Sequence, residues 1–191
     1  MKGSLAISLR GMVEERFDRE TWRRILDDAN VPAHTLFMTV GDIDDRMYFD
    51  LVQATCRVLN WTQQEAWEQI GDYWVRVYTQ KVYSRHYDSS KDARSFLLHM
   101  DSVHRVVTQA TPNAEPPRFE FEEPDEHSLL VRYISRRDMF VYFRALVRAV
   151  ARHYGEDVDI REIAADRLRL TFSRAGAKSR PAMGRASVVV A

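Results

Sequence analysis

The sequence predicts an α+β fold, in which a helical N-terminal part is followed by strand, strand, helix, strand and strand. Three observations predict it. Apolar residues recur at spacings of three and four through about residue 115, apolar and polar residues alternate from residue 116, and one further helical segment separates two pairs of strand-like segments. Helices followed by a run of strands are typical of the α+β class.

The first helices are indicated by periodic apolar segments and by their end signals. Helical spacing is clear in ETWRRILDDAN and in MYFDLVQATCRVLN. Thr62 and Glu65 form a capping-box signature, which predicts a helix through QQEAWEQIGDYWVRVYTQKV. Gly71 in that helix is either a hinge, because glycine weakens a helix, or a point of close helix packing.

The next predicted helix contains FLLHMDSVHRVV, residues 96–107. Asp92 is its candidate N-cap, and it should end near Thr111 and Pro112 because proline cannot continue a helix. PPRFEFEE and SLLVRYIS then predict a hairpin, since turn residues lie between them. DMFVYFRALVRAVARHYG predicts a helix that ends at Gly155, and VDIREIAADRLRLTF predicts two short strands.

Composition narrows the class of protein. The 191 residues are 45% hydrophobic, enough for one domain with a sizeable core, and 28 basic residues balance 28 acidic ones. This balance argues against a general nucleic-acid binder. The single cysteine excludes an internal disulfide, and the first apolar run is too short for a signal peptide or a membrane span. We therefore expect a soluble cytoplasmic protein without membrane partners, and a disordered basic tail over residues 173–191.

The stretch at residues 96–107 carries two histidines beside an apolar stripe. With about 100° per residue, one helix face collects most of its apolar side chains. These are Phe96, Met100, Val103 and Val107. His99 falls on one side of the stripe and His104 on the other. Periodicity does not choose between them, and a boundary histidine with a local hydrogen bond explains either one.

Two further features accompany the histidines. Tyr133, Ser135 and Arg137 share one face of the second strand, where two hydroxyls and a guanidinium form a donor array suited to carboxylates. A solvated polar face of an edge strand explains the same pattern. Pro116 and Pro117 stiffen the connection from the histidine helix to the first strand, although a plain rigid turn needs no more than that.

Together, an imidazole on an apolar helix, a strand with three donors and a rigid proline pair match the requirements of a haem site. In this combination the sequence resembles the haem-nitric oxide/oxygen binding (H-NOX) sensor domains, bacterial relatives of the haem domain of soluble guanylate cyclase. The resemblance covers about residues 1–172. It is carried by the opening MKG, by FLLHMDSVH followed by PPRF, and by YISRR as a Tyr-x-Ser-x-Arg motif.

The resemblance implies one haem domain over residues 1–172. A helical subdomain spans about residues 1–60, the haem-ligand helix about 92–110, and the part with a four-stranded antiparallel sheet about 116–172. A non-covalent haem b is buried between these parts.

The resemblance also assigns roles to individual residues. It implies that His104, and not His99, is the proximal iron ligand. The Tyr-x-Ser-x-Arg residues Tyr133, Ser135 and Arg137 then bind the haem propionates, and Pro117 stands where a proline ring leans on the haem and distorts it.

The distal side of the haem decides which gas binds. In this family, O₂-binding members carry a distal tyrosine on the helix after the propionate motif, and Tyr142 occupies that position. The other expected distal residues are Leu5, Leu9, Trp74, Tyr78 and Leu146. Leu9 and Trp74 stand where O₂-binding relatives have a tryptophan and an asparagine that orient the tyrosine. Leu9 has no donor and Trp74 is bulky, so we expect binding of NO and CO, with O₂ depending on Tyr142.

The function that the resemblance implies is gas sensing, with a conformational switch in place of a reaction. Because the chain ends soon after the sheet, we expect it to regulate a histidine kinase or a diguanylate cyclase in trans. Two alternatives stay open. One is a haem enzyme such as a peroxidase, although no distal His/Arg pair lies near Tyr142. The other is a haemless interaction module.

Overall fold

The computed structural model describes residues 1–109, 113–137 and 139–174, and it confirms the predicted α+β architecture. The N-terminal part consists of helices α1 (Ser4–Arg16), α2 (Arg19–Asp28), α3 (Asp45–Leu59), α4 (Gln63–Tyr73), α5 (Thr79–Asp88) and α6 (Ala93–Gln109). A π-helical segment, Trp74–Tyr78, joins α4 to α5 without a break.

The C-terminal part is a four-stranded antiparallel sheet with one helix. Its elements are β1 (Arg118–Asp125), β2 (Ser128–Ile134), α7 (Phe140–His153), β3 (Glu156–Ala164) and β4 (Arg167–Arg174). The strand order is β1-β2-β4-β3, with Phe119 opposite Tyr133 and Leu129 opposite Leu170. β4 continues two residues past 172, and residues 175–191 of the predicted tail lie outside the described residues.

The helix ends follow from local chemistry. Thr62 and Glu65 form the predicted capping box, with each side chain bonded to the backbone of the other residue. Asp92 caps α6, because its Oδ1 accepts a hydrogen bond of 2.7 Å from the backbone N–H of Ser95. Gly155 follows α7 with φ +67°, the left-handed conformation that ends many helices. The predicted end of α6 at Thr111 and Pro112 lies outside the described residues.

Two further local features of the helical part concern Tyr83 and Gly71. Tyr83 has φ −132° and ψ 21°, so α5 is broken there. Gly71 packs against α7, since a Cβ at this position would stand 3.1 Å from the Cβ of Ala145. This close approach favours the packing interpretation of Gly71 over the hinge.

The interior has two apolar cores that share one helix. In the helical core, Tyr142 and Ala145 of α7 pack with side chains of α1 to α4. In the sheet core, Phe143 and Val147 of the same helix pack against the strands, α5 and α6. α7 therefore connects the two parts of the protein. Among the described residues, no helix is long and apolar enough to cross a membrane.

Candidate cofactor cavity

A cavity of about 300 Å³ lies between the two parts of the protein. Its wall is mostly apolar and is built from α1, the π-helical segment, α5, α6, α7 and the start of β1. Cofactor sites in proteins are usually concave and apolar, with a few polar groups that fix orientation. The polar side chains on this wall therefore decide what the cavity can hold.

His104 projects into this cavity from the second half of α6. Its Nδ1 lies 3.3 Å from the carbonyl oxygen of Pro117, and its ring lies 5.6 Å from the ring of Phe119. Burial is the main cause that lowers the pKa of the imidazole, so the neutral form is favoured. A neutral imidazole that donates Nδ1–H to Pro117 keeps the lone pair of Nε2 for a metal.

The structure separates the two histidines that periodicity left equivalent. His99 is exposed, and its Nδ1 lies 2.7 Å from the carbonyl oxygen of Ser95 in the preceding turn of α6. It does not line the cavity, so it has the local hydrogen bond expected of a boundary residue. His104 alone of this pair is placed to reach a group in the cavity.

The proline pair lies on the same wall as His104. Pro116 and Pro117 both line the cavity, immediately before β1 begins at Arg118. The carbonyl of Pro117 faces the imidazole of His104. The rigid segment therefore contributes both an apolar surface and a hydrogen-bond acceptor.

The three predicted carboxylate-binding residues are only partly together. Tyr133 lines the cavity, whereas Ser135 and Arg137 lie beyond its wall. Arg137 donates through Nε to Asp45 Oδ2 at 2.6 Å and through Nη1 to the carbonyl of Glu115 at 2.9 Å. The Ser135 hydroxyl accepts a hydrogen bond of 3.1 Å from the backbone N–H of Arg137. The guanidinium is thus held in place close to the end of β2.

Tyr142 lines the cavity from α7 with a side chain that is only 5% exposed. Its hydroxyl has no hydrogen-bond partner among the described residues. Burial raises the pKa of this phenol well above its usual value, so the proton stays on the oxygen. A buried hydroxyl without a partner costs free energy, and a polar ligand in the cavity would supply the missing bond.

The other predicted distal residues divide into two groups. Leu5, Trp74 and Leu146 line the cavity. Leu9 was expected beside them, but it is fully buried in the helical core, one turn of α1 beyond Leu5. Tyr78 also lies off the cavity wall and stacks on Trp74, with ring centroids 4.8 Å apart.

Sequence reasoning missed several members of the site. Tyr83 and His86 reach the cavity from α5, where the helix is broken at Tyr83. The local sequence gives no sign of this break, and the helix predicted from Gln63 ends at Val82, just before it. Asp45, the partner of Arg137, is 92 residues distant in the chain, and no sequence pattern connects the two.

Comparison with known proteins adds an independent finding. The model of a family described as haem-NO-binding matches residues 2–162. No curated protein sequence matches the chain. Solved H-NOX structures match its fold.

An H-NOX protein of S. oneidensis in the Fe(II)NO state has a TM-score of 0.79 and 18% identity, with 91% of this chain and 98% of that chain covered. An unliganded Fe(II) H-NOX mutant of K. algicida has a TM-score of 0.79 and 20% identity, with coverages of 91% and 97%. An oxygen-binding H-NOX domain related to soluble guanylate cyclases, in its oxygen complex, has a TM-score of 0.77 and 20% identity, with coverages of 92% and 96%.

Proposed function

Because the chain belongs to the haem-NO-binding (H-NOX) family, whose members are haem-based gas sensors and not enzymes, we propose that it senses NO through a non-covalently bound haem b. One observation carries the proposal: His104 lines an apolar cavity with Nδ1 directed to the Pro117 carbonyl. When bound, the haem supplies an iron with an open coordination position for NO, CO or O₂.

The residues of the cavity fit such a group. His104 is proposed to bind the iron through Nε2, and Pro117 to press on the macrocycle from the same side. Tyr133, Ser135 and Arg137 are proposed to hold the propionates. Asp45 and the Glu115 carbonyl orient Arg137, and a guanidinium with five N–H donors can bind a further carboxylate.

The opposite wall determines which gas is retained. Tyr142 is proposed to donate its hydroxyl proton to a polar gas such as O₂, while Leu5, Leu146 and Trp74 shape the surrounding space. The unpartnered hydroxyl of Tyr142 supports this role. NO depends less on a donor than O₂ does, so NO and CO binding does not require Tyr142.

Signalling is proposed to use the position of α6. If the bond between His104 and the iron weakened, the second half of α6 would be free to shift relative to β1, and a partner would recognise the changed surface. Regulation requires that the partner favours one of the two states. A histidine kinase or a diguanylate cyclase acting in trans is the proposed partner.

The proposal is tested by haem loading of two matched variants. The protein is expressed with a supply of haem, and the Soret absorbance per chain is compared for His104→Ala and His99→Ala. We expect His104→Ala to lose most of the haem and His99→Ala to resemble the unmodified protein, since His99 is exposed. A colourless unmodified protein would favour a haemless interaction module, and haem loss only in His99→Ala would place the ligand on the other side of α6.

A further inference from the structure

The second half of α6 is held differently from the first half. The buried side chains of this helix, Ala93, Phe96 and Leu97, all lie in its first five residues. From Leu98 to Gln109 every side chain is half-buried or exposed, and His104 lies in this stretch. Polar contacts therefore contribute a large share of what fixes the position of His104.

Asp101, one turn before His104, connects the second half of α6 to the start of β1. Arg118 donates a hydrogen bond of 2.8 Å from Nη2 to Asp101 Oδ2, and its Nε lies 2.7 Å from Oδ1 as an ion pair, while Oδ1 itself has no hydrogen bond among the described residues. The Asp101 side chain is only 18% exposed, so this contact is partly shielded from water. Arg105 also reaches Asp101 Oδ2, at 3.2 Å, but it belongs to the same helix.

The contact connects the same two segments as the imidazole of His104. Arg118 directly follows Pro117, whose carbonyl faces His104 Nδ1, and Phe119 packs its ring on the ring of His104. The ion pair and the imidazole hydrogen bond are therefore one helical turn apart on α6 and one residue apart on the facing segment. A shift of α6 that breaks one contact also strains the other.

We propose that Asp101 and Arg118 are positioning residues that hold His104 against the Pro117 carbonyl and so set the strength of its bond to the iron. This inference rests on the proposed function, because it needs His104 as the ligand. Groups that orient a metal-binding histidine typically change metal affinity by about 10- to 100-fold when they are removed. Arg118 is more than half exposed, so its removal changes overall stability little.

The test compares Arg118→Gln with Arg105→Gln in the haem-loaded ferrous protein. Each variant removes one arginine contact of Asp101, but only the first removes a contact between α6 and β1. We expect Arg118→Gln to lower the iron–histidine stretching frequency in resonance Raman spectra and to raise the haem dissociation rate about 10-fold. Arg105→Gln should match the unmodified protein, and Arg118→Lys, which keeps the charge without the fork, should lie between them.

The same substitution in a second variant, His104→Gly, distinguishes an effect through the position of α6 from a general change in the pocket. In His104→Gly supplied with free imidazole, the ligand is no longer attached to α6, so Arg118→Gln should leave the iron–imidazole frequency unchanged. Equal frequencies for Arg118→Gln, Arg105→Gln and the unmodified protein would overturn the inference, as would an equal shift in both backgrounds. If His104→Gly instead keeps the native band without imidazole, the proposed function itself fails. Should Arg118→Gln not fold, Arg118→Lys decides by the same criteria.

Discussion

The wall of the cavity formed by α6 and β1 carries His104, the wall formed by α7 carries Tyr142, and these two polar groups differ in how they are bonded. His104 on the first wall already has the Pro117 carbonyl as a partner for one nitrogen. Tyr142 on the second wall has a buried hydroxyl without a partner among the described residues. A group that is bonded on one side presents a fixed tautomer and a defined lone pair, which suits a permanent ligand. A hydroxyl left unpaired suits a hydrogen bond to a molecule that binds and leaves.

The walls also differ in what holds them in place. α7 is packed into both apolar cores, and Gly71 brings α4 into close contact with it. The second half of α6 has no fully buried side chain and depends on contacts with the segment from Pro117 to Phe119. This difference in packing suits the proposed sensor, because a change at His104, the proposed iron ligand, would then shift α6 more easily than α7.

The largest expected effect on stability tests the close packing of α4 on α7. Gly71→Ala places a Cβ 3.1 Å from Ala145, so we expect the free energy of unfolding to fall by about 2 kcal/mol, the typical cost of overpacking. Urea denaturation measures it. Adding Ala145→Gly should return part of the loss, as a double-mutant cycle would show. An unchanged or higher stability of Gly71→Ala would mean that α4 and α7 are not closely packed.

The next effect concerns the unpartnered hydroxyl. Tyr142→Phe should stabilise the haem-free protein by about 1 kcal/mol, because it removes a buried donor without a partner. The same change should speed O₂ release from the loaded protein about 10-fold and leave NO binding almost unchanged. Thermal unfolding and stopped-flow absorbance measure the two quantities.

Tyr87→Phe is the matched control for Tyr142→Phe, since the Tyr87 hydroxyl lies 2.8 Å from the Thr79 hydroxyl and is buried. It should lose about 1 kcal/mol of stability. Losses of equal size in the two variants would show that Tyr142 has a partner in solution. The contrast between the two cavity walls would then disappear.

A smaller effect concerns the anchored end of α6. Asp92→Ala removes the N-cap bond to Ser95 and should cost about 1 kcal/mol of stability. The iron–histidine frequency should stay the same, because the change lies three turns from His104. Asp18→Ala, which removes the corresponding cap of α2, should cost a similar amount. A frequency shift in Asp92→Ala alone would mean that the whole of α6 moves as one unit.

The smallest expected effect is the pH dependence of the free energy of unfolding that Tyr142 causes. The pKa of this phenol is raised in the folded state, so above the usual value of 10.0 the unfolded chain releases a proton that the folded chain keeps. Ionisation of this group therefore leaves the free energy of unfolding unchanged well below that value and lowers it as the pH rises above it. At about pH 10.5 the loss is about 0.8 kcal/mol. The difference between the unmodified protein and Tyr142→Phe, measured by denaturant unfolding at several pH values, isolates it.

Local signals explain why so much of the fold was predictable. The capping box of Thr62 and Glu65, the cap at Asp92 and the turn at Gly155 each depend on residues within a few positions of one another. The break at Tyr83 has no such signal in the neighbouring residues.

Contacts that join distant parts of the chain near the cavity had no signal in the sequence. The pairs of Arg137 with Asp45 and of Arg118 with Asp101 depend on how the two parts of the fold meet. Leu5 and Leu9 show the same limit, since they share one face of α1 by spacing. Their different depths, one at the cavity and one in the core, are set by the neighbouring helices.

The presence of α7 in both cores has a consequence for how the protein melts. Two parts joined only by a linker would unfold in separate steps, each with its own heat absorption. Here Tyr142 and Phe143, adjacent in the chain, belong to different cores, so neither core can lose its order without withdrawing side chains that α7 supplies to the other. The haem-free chain should therefore melt in a single calorimetric peak, with equal calorimetric and van 't Hoff enthalpies.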